Sequence, residues 1–558
     1  MSLYQAHSFE IPAETIEVAQ AAFPKGNVYL TLRDHLGPLF RDADFAELFA
    51  WQGQAGISPG LLAMVTVMQF LEGLTDRQAS EAVRSRIDWK YMLGLPLKDS
   101  GFDHTVLTDY RQRLLAGGQE SLLFEQVLTR VKAQGLLSQK QLQRTDSTHV
   151  VAAIRRLNRL ELVGETMRRV LDDLARVAPD WLLEQISPDW FDRYGARIEQ
   201  YRLPDKAGER AALQQQIGQD GQHLLHALYA VETPPWLREL PAVGAMLRIW
   251  RQQYYQQDTQ PEQVQLRWRE ANELPPFKQL IVSSDDLEAR NRTKRETNWS
   301  GYAVHLTETC HPHGPNLITN VETTPATTAD VEMTGVIHQK LADRELLPDE
   351  HLVDTAYVSV DHLLDSQNQY HLDLIGPVPG GGSWQRKQNQ GFAIKAFAID
   401  WQSQTVTCPH GNVSQSWHPR HDNKYDYDYI EVRFASADCR ACPDQPDCTR
   451  SQRGVRVLSF KPQAEYEMLN AARQRQTSEE FKSKYKQRAG IEGTISQGVR
   501  AFELRRTRYL GLAKTRLQHL AVAAAMNLTR LATWWLAGEP DYLPYRSPFA
   551  RLKPVNLT

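Results

Sequence analysis

Three carboxylates stand out by their surroundings. Asp146 lies in "RTDSTHV" and Asp354 in "HLVDTAYV", each after a short apolar or β-type run and before Ser or Thr. Both would then sit at or near a strand end, where open α/β sheets hold their ligands. Glu492 lies instead in "YKQRAGIEGTISQGVR", within a basic stretch: residues 481–518 contain ten Lys or Arg and two acids. In a helix over 478–500, Tyr485, Arg488 and Glu492 recur at i, i+3 and i+7 and share one face within about 60°. Two aspartates on adjacent strands and a glutamate on a helix packed against the sheet can hold two magnesium ions, which take oxygen ligands. Such a pair, about 4 Å apart, activates a water or a 3′-hydroxyl and stabilises the leaving oxygen in in-line phosphoryl transfer. Taken singly, each acid reads as a cap, a turn residue or a surface ion pair; their order and context carry the reading. Asp285 and Asp286 are rival acids, with a loop cap as their simpler role. Gly490 and Gly493 flank Glu492, and each costs roughly 1 kcal/mol in a helix interior, which points to close backbone approach there.

A second constellation is sulfur-based. Cys408, Cys439, Cys442 and Cys448, in "TCPHG" and "DCRACPDQPDC", put four of the five cysteines in one 41-residue window. The C-x2-C knuckle with two further thiols matches a closed tetrahedral zinc site, hence a structural one. An iron–sulfur cluster is the metal alternative, and His410 is a substitute for one thiol. Cys310, with His311 and His313 nearby, reads as an unpaired structural cysteine. So few cysteines exclude a disulfide framework and suit a reducing cytoplasm.

The elements that must position these groups are α/β in pattern. The chain has 558 residues, 41% hydrophobic and 23% charged, with a formal net charge of −3; this is a soluble multidomain composition without global basicity. No signal peptide is evident, and "HLAVAAAMNLTRLATWWLAG" is interrupted by Arg530, so it reads as a buried helix rather than a membrane span. Residues 1–138 read as helices: Ser58 and Pro59 open one, and Thr75 with Gln78 has capping-box spacing. With Arg77, Arg84, Arg86, Lys90, Arg111 and Arg113 they resemble a helix-turn-helix DNA reader, or else a small bundle with solvated charges. "LQRTDSTHVVAA" reads as a strand. Residues 156–275 return to helical periodicity, as an inserted helical domain whose tryptophans are core residues. Strands resume at "QLIVSS", "SGYAVHLTETC", "NLITNVETTP", "EHLVDTAYVS" and "HLDLIGPVPG", with one helix between, which argues for a mixed sheet. Residues 381–462 form a polar cysteine module, and 463–537 are helical.

These features together resemble the DDE transposases of bacterial insertion sequences, in the branch marked by Tyr-x2-Arg-x3-Glu-x6-Lys. "YKQRAGIEGTISQGV" supplies Tyr485, Arg488 and Glu492; Val499 stands where Lys is usual, with Arg500 beside it. The resemblance extends to "SDDLEARNRTKRETNWSGYAVHLTET", "VETTPATTADVEMTGVIHQKL", "LRRTRYLGLAKTRLQHLAVAAAMNLTRL" and the helical N-terminal region. It implies an RNase H-like catalytic domain with a mixed five-stranded sheet, built from 139–155, 276–380 and 463–537. Around it would stand a DNA-binding domain over 1–138, an inserted helical domain over 156–275, a zinc module over 381–462 and a tail over 538–558. Asp146, Asp354 and Glu492 become the catalytic triad, holding two Mg2+ or Mn2+. Tyr485, Arg488, Arg500, Arg505, Arg506, Arg508 and Lys514 become DNA contacts, with Trp299 either stacking on a base or packing in the core. The implied activity is binding of terminal inverted repeats, metal-dependent cleavage and strand transfer into target DNA. The expected protein is a homodimer at synapsis, cytoplasmic and nucleoid-associated. Alternatives are a DNA endonuclease without strand transfer and a non-catalytic zinc-containing DNA-binding regulator.

Overall fold

A computed structural model describes residues 8–50, 53, 56–258, 264–310, 314–380 and 382–538. His311, His313 and the tail from 539 onward lie outside the described residues. The chain divides into two compact units, one made of residues up to 137, 147–328 and from 492 on, the other of 138–146 and 329–491. The helical N-terminal and inserted regions fall in the same unit as part of the sheet and the last helix.

In the first unit, the helix Pro59–Glu72 starts as its sequence dictates. The Ser58 side chain accepts from the Leu61 amide, Pro59 occupies the first turn, and Gly73 ends it with φ +69°. Every residue from Pro59 to Phe70 is buried, so this is a core helix, covered by the long helix Leu512–Gly538. The Thr75–Gln78 capping box forms at the start of Asp76–Ser85. The strands Arg290–Lys294, Thr297–Thr309 and Ile318–Pro325 pair antiparallel, with Arg292 opposite Trp299 and Val304 opposite Thr323. Helix 512–538 is tied to the last of them: the Asn527 side chain bonds both the amide and the carbonyl of Ile318, each at 2.8 Å. His519 and Thr323 add a buried side-chain bond of 2.7 Å.

The inserted helices Arg159–Val177, Ala207–Tyr229 and Pro241–Gln253 enclose their own core, in which Trp190 and Trp250 are buried. A hairpin, Tyr254–Asp258 with Val264–Trp268, interrupts the expected helical run. The expected strand at "QLIVSS" does not form: residues 281–284 are loop, and the Ser283 hydroxyl accepts from the Asp285 amide. Side-chain bonds of this kind compete with a strand ladder.

In the second unit the strands around Asp146 and Asp354 pair in parallel. Gln143 and Arg144, in the strand Gln143–Val151, pair with His351 and Leu352, and Glu350–Leu352 pairs with Asp373–Ile375. The strand before Asp354 has only three residues, because Asp354 itself caps the turn Thr355–Tyr357. The helices Thr334–Asp343 and Val360–Asn368 belong to this unit. So does the cysteine-bearing segment, whose three-stranded sheet (Ser416–Asp422, Tyr427–Arg433, Val457–Phe460) closes on Phe397, Val406, Val432 and Phe460. Antiparallel and parallel pairing together make a mixed α/β protein.

Candidate functional site

Asp146 lies in the strand Gln143–Val151, half-buried. Its neighbour Thr145 is fully buried and bonds His351 Nε2 at 2.7 Å, and His351 Nδ1 meets His338 Nε2 at 2.9 Å. Burial pushes the His338 imidazole down to about 4, and His351 well below its usual value, so both are neutral. This chain of neutral rings joins the strand of Asp146 to that of Asp354. Asp354 accepts the Ala356 amide at 2.9 Å, a bond that fixes the carboxylate at the strand's end.

The basic helical run forms as expected, in three consecutive pieces: Glu479–Tyr485, a 3-10 turn Lys486–Ala489, and Gly490–Ala501. Arg488 Nη1 donates to Asp146 Oδ2 at 2.9 Å, and Arg488 Cζ lies 6.0 Å from the centre of the Tyr485 ring. Burial raises the Tyr485 phenol; Arg488 lowers it, while Asp354 and Asp146 raise it further, so the group stays a protonated donor. Asp146, Asp354, Tyr485 and Arg488 therefore meet at one place in the second unit. Glu492 is exposed in the first turn of the helix Gly490–Ala501, one turn beyond Arg488 along the chain, and it belongs to the first unit.

Behind that exposed acid, the same helix is held by a buried ionic cluster. Arg530 Nη1 donates to Glu308 Oε2 at 2.8 Å, Nη2 to Thr494 Oγ1 at 2.6 Å and Nε to Gln497 Oε1 at 2.9 Å. The Glu308 side chain has no exposure at all. Nothing in the sequence distinguished Glu308 from the acids around it.

Other expected residues fall differently. Asp286 is buried and accepts from the Tyr302 hydroxyl and from the amides of Glu288, Ala289 and Gly511, which is the loop-capping role. Asp285 pairs with Arg169. Trp299 is only 4% exposed and donates its indole N–H to the Tyr302 carbonyl; of the two roles weighed for it, packing is the one its burial matches. Arg508 donates to the Leu74 carbonyl and lies over the Phe70 ring, so it braces the first unit. Arg505 bonds Thr148 at 2.9 Å, while Arg500, Arg506 and Lys514 are exposed. Among the N-terminal cations, Arg86 pairs with Glu72 and Asp88, Arg111 with Asp76, and Lys90 with the carbonyls of Pro96 and Asp99. Their charge is spent internally, which leaves Arg77 and Arg84 as the exposed members of that group.

Cys408, Cys439, Cys442 and Cys448 line one pocket with Phe392, Phe397 and Phe434, and these four are not joined by disulfides. Burial raises the Cys448 thiol; Arg456 lowers it, and the other three thiols raise it again. His410 bonds Asp444 at 2.8 Å. Among the described residues, no three His, Cys, Asp or Glu side chains are arranged to hold a metal ion, and no helix is long and apolar enough to cross a membrane.

Residues 407–532 match the family described as a transposase DDE domain, and residues 17–113 match the one described as a transposase domain (DUF772). The first match spans the cysteine cluster, Tyr485, Arg488 and Glu492; Asp146 and Asp354 lie outside both. Both matches are to transposase families, and together they support a DDE transposase of the kind carried by insertion sequences. No curated protein and no solved structure matches it.

Proposed function

We propose that Asp146, Asp354 and Glu492 are the catalytic triad of this transposase, and that it cuts the 3′ ends of its own element and joins them to target DNA. The observation that carries the reading is the meeting of both aspartates with Tyr485 and Arg488. DDE transposases generally use divalent metals. Asp146, within its strand, and Asp354, just past the end of its own, are half-buried carboxylates that offer the hard oxygens magnesium takes. Bound there, the metals supply activation of the attacking oxygen and stabilisation of the leaving one. The chain's own part is to hold the carboxylates: Asp354 through its cap, Asp146 through Arg488, and Glu492 on a helix anchored by Arg530. Tyr485 and Arg488 are donors suited to a phosphate oxygen, with Arg500, Arg506 and Lys514 following the DNA backbone. Joining two ends calls for at least a homodimer, working on the nucleoid in the cytoplasm.

The sequence spacing of Cys408, Cys439, Cys442 and Cys448 and their shared pocket are the grounds for proposing a structural zinc ion, since four soft donors leave no open coordination position. Such an ion would brace the cysteine-bearing sheet and take no part in the reaction.

The test is a supercoiled plasmid carrying the element's two ends, incubated with the purified protein and Mg2+. The wild type is expected to cut and to yield joined products, while Glu492→Gln, Asp146→Asn and Asp354→Asn cut at least about a hundredfold more slowly. Equal cutting by Glu492→Gln removes that residue from the mechanism. Cutting without joined products favours the endonuclease, and no cutting by the wild type favours the regulator.

A further inference from the structure

Arg144 lies in the same strand as Asp146, two residues earlier, and is 8% exposed. Two residues apart, their side chains leave the strand on the same face. Its Nη1 donates to the Gln487 carbonyl at 2.6 Å. A Cβ built on Gly490 would fall 1.9 Å from Arg144 Nη1 and 2.2 Å from Cζ. The guanidinium therefore occupies the volume that any side chain at 490 would need. At Gly493, by contrast, an added Cβ meets nothing within 4 Å. Glycine is unfavourable in a helix, and of the two glycines flanking Glu492 it is Gly490 whose packing accounts for it.

Arg488, between Gln487 and Gly490, donates in the opposite direction, to Asp146. Two arginines thus cross between one strand and one helical run: Arg144 reaches from the strand to the helix backbone, and Arg488 from the helix to the strand's carboxylate. We propose that Arg144, seated against the bare backbone of Gly490, is a positioning residue that sets the register of the Tyr485–Arg488 turn against Asp146. This rests on the reading of Asp146 and Arg488 as parts of the catalytic centre. A guanidinium suits the task because its planar fork is pre-organised, so less freedom is lost per bond than with an ammonium. The register matters because a displacement of about 1 Å at a reacting centre costs roughly a hundredfold in rate.

A double-mutant cycle tests this, using Gly490→Ala, Arg144→Ala and the two combined. Gly490→Ala improves helix propensity, yet it evicts Arg144. It is expected to slow donor-plasmid cleavage at least tenfold while binding of end DNA stays within twofold. In the Arg144→Ala background the same change is expected to alter cleavage by less than twofold. Wild-type cutting by Gly490→Ala, or losses that multiply in the double variant, would overturn the proposal. Hydrogen exchange of the 479–489 peptide supplies an activity-free arm. Gly490→Ala alone is expected to speed exchange about tenfold, with no further gain when Arg144 is already absent. If the wild type does not cut, the catalytic reading fails while the exchange cycle still decides on the lock. Additive exchange effects would sink the lock with the catalytic reading intact.

Discussion

Replacing Arg530 with methionine keeps most of the side-chain volume and removes the charge opposite Glu308. Glu308 is wholly buried and Arg530 is 14% exposed, so little water reaches the pair. Removing one partner of a buried ion pair costs about 3–5 kcal/mol, because the other charge loses its compensation in a poorly solvated place. Arg530 also donates to the Asn316 carbonyl, Thr494 and Gln497, but these bonds share one side chain and their losses do not simply add. We expect about 4 kcal/mol for Arg530→Met. A protein of two units need not unfold in one step, so the assay is hydrogen exchange on peptides from 318–325 and 512–538. At a factor of ten per 1.4 kcal/mol, amides that exchange by opening of this region should do so roughly a thousandfold faster. Adding Glu308→Met removes the orphaned charge and should restore most of the protection. An increase below about tenfold in the single variant, or a double variant worse than the single, would refute the buried-charge argument.

Three further outcomes follow. Both His338 and His519 are held near about 4 by burial. The unfolded chain takes up protons below its ordinary histidine value of about 6.5 while the folded chain does not. Stability is therefore complete above pH 6.5 and falls between there and about 4, by at most roughly 1.4 kcal/mol per pH unit for each ring; denaturation midpoints that stay flat from pH 6.5 to 4.5 would contradict this. Asp286→Ala strands the Tyr302 hydroxyl and the Gly511 amide, so it should destabilise the protein by about 2–4 kcal/mol, read by denaturant titration, with catalysis by the surviving folded protein near normal. Purified protein should carry about one zinc per chain by elemental analysis, and Cys442→Ser should lose it and expose 407–460 to protease; a metal-free wild type of equal protease resistance would exclude the structural ion.

Local signals were legible where a short stretch decides its own conformation. Ser58, Pro59 and the Thr75–Gln78 box fall at helix starts, and the run through Tyr485 and Arg488 is helical. The alternating and apolar runs at 297–309 and 318–325 are strands. The hairpin of 254–268 was hidden, because its glutamines and tyrosines carry no clear two-residue alternation and follow directly on a helix. "QLIVSS" looked like a strand by composition, but its serines and the following aspartates found side-chain partners instead. The ion pairs of the N-terminal cations were not readable locally, because their partners, Glu72 for Arg86 and Asp76 for Arg111, sit on other helices. Arg144 was unreadable for the same reason: its partner carbonyl lies hundreds of residues downstream. Of the site itself, the acids and the Tyr-x2-Arg spacing could be read directly, whereas the histidine chain and the Glu308 cluster exist only once distant segments meet.

The helix Leu512–Gly538 has a consequence for how the protein is made. It covers the core helix Pro59–Glu72 and the strand Ile318–Pro325, so the ribosome emits the lid after everything the lid must close over. At about 5–20 residues per second, the first 328 residues wait on the order of ten seconds with apolar surface open. Translation halted before residue 512 would leave a chain whose earlier half cannot seal, a substrate for proteases rather than a stable fragment.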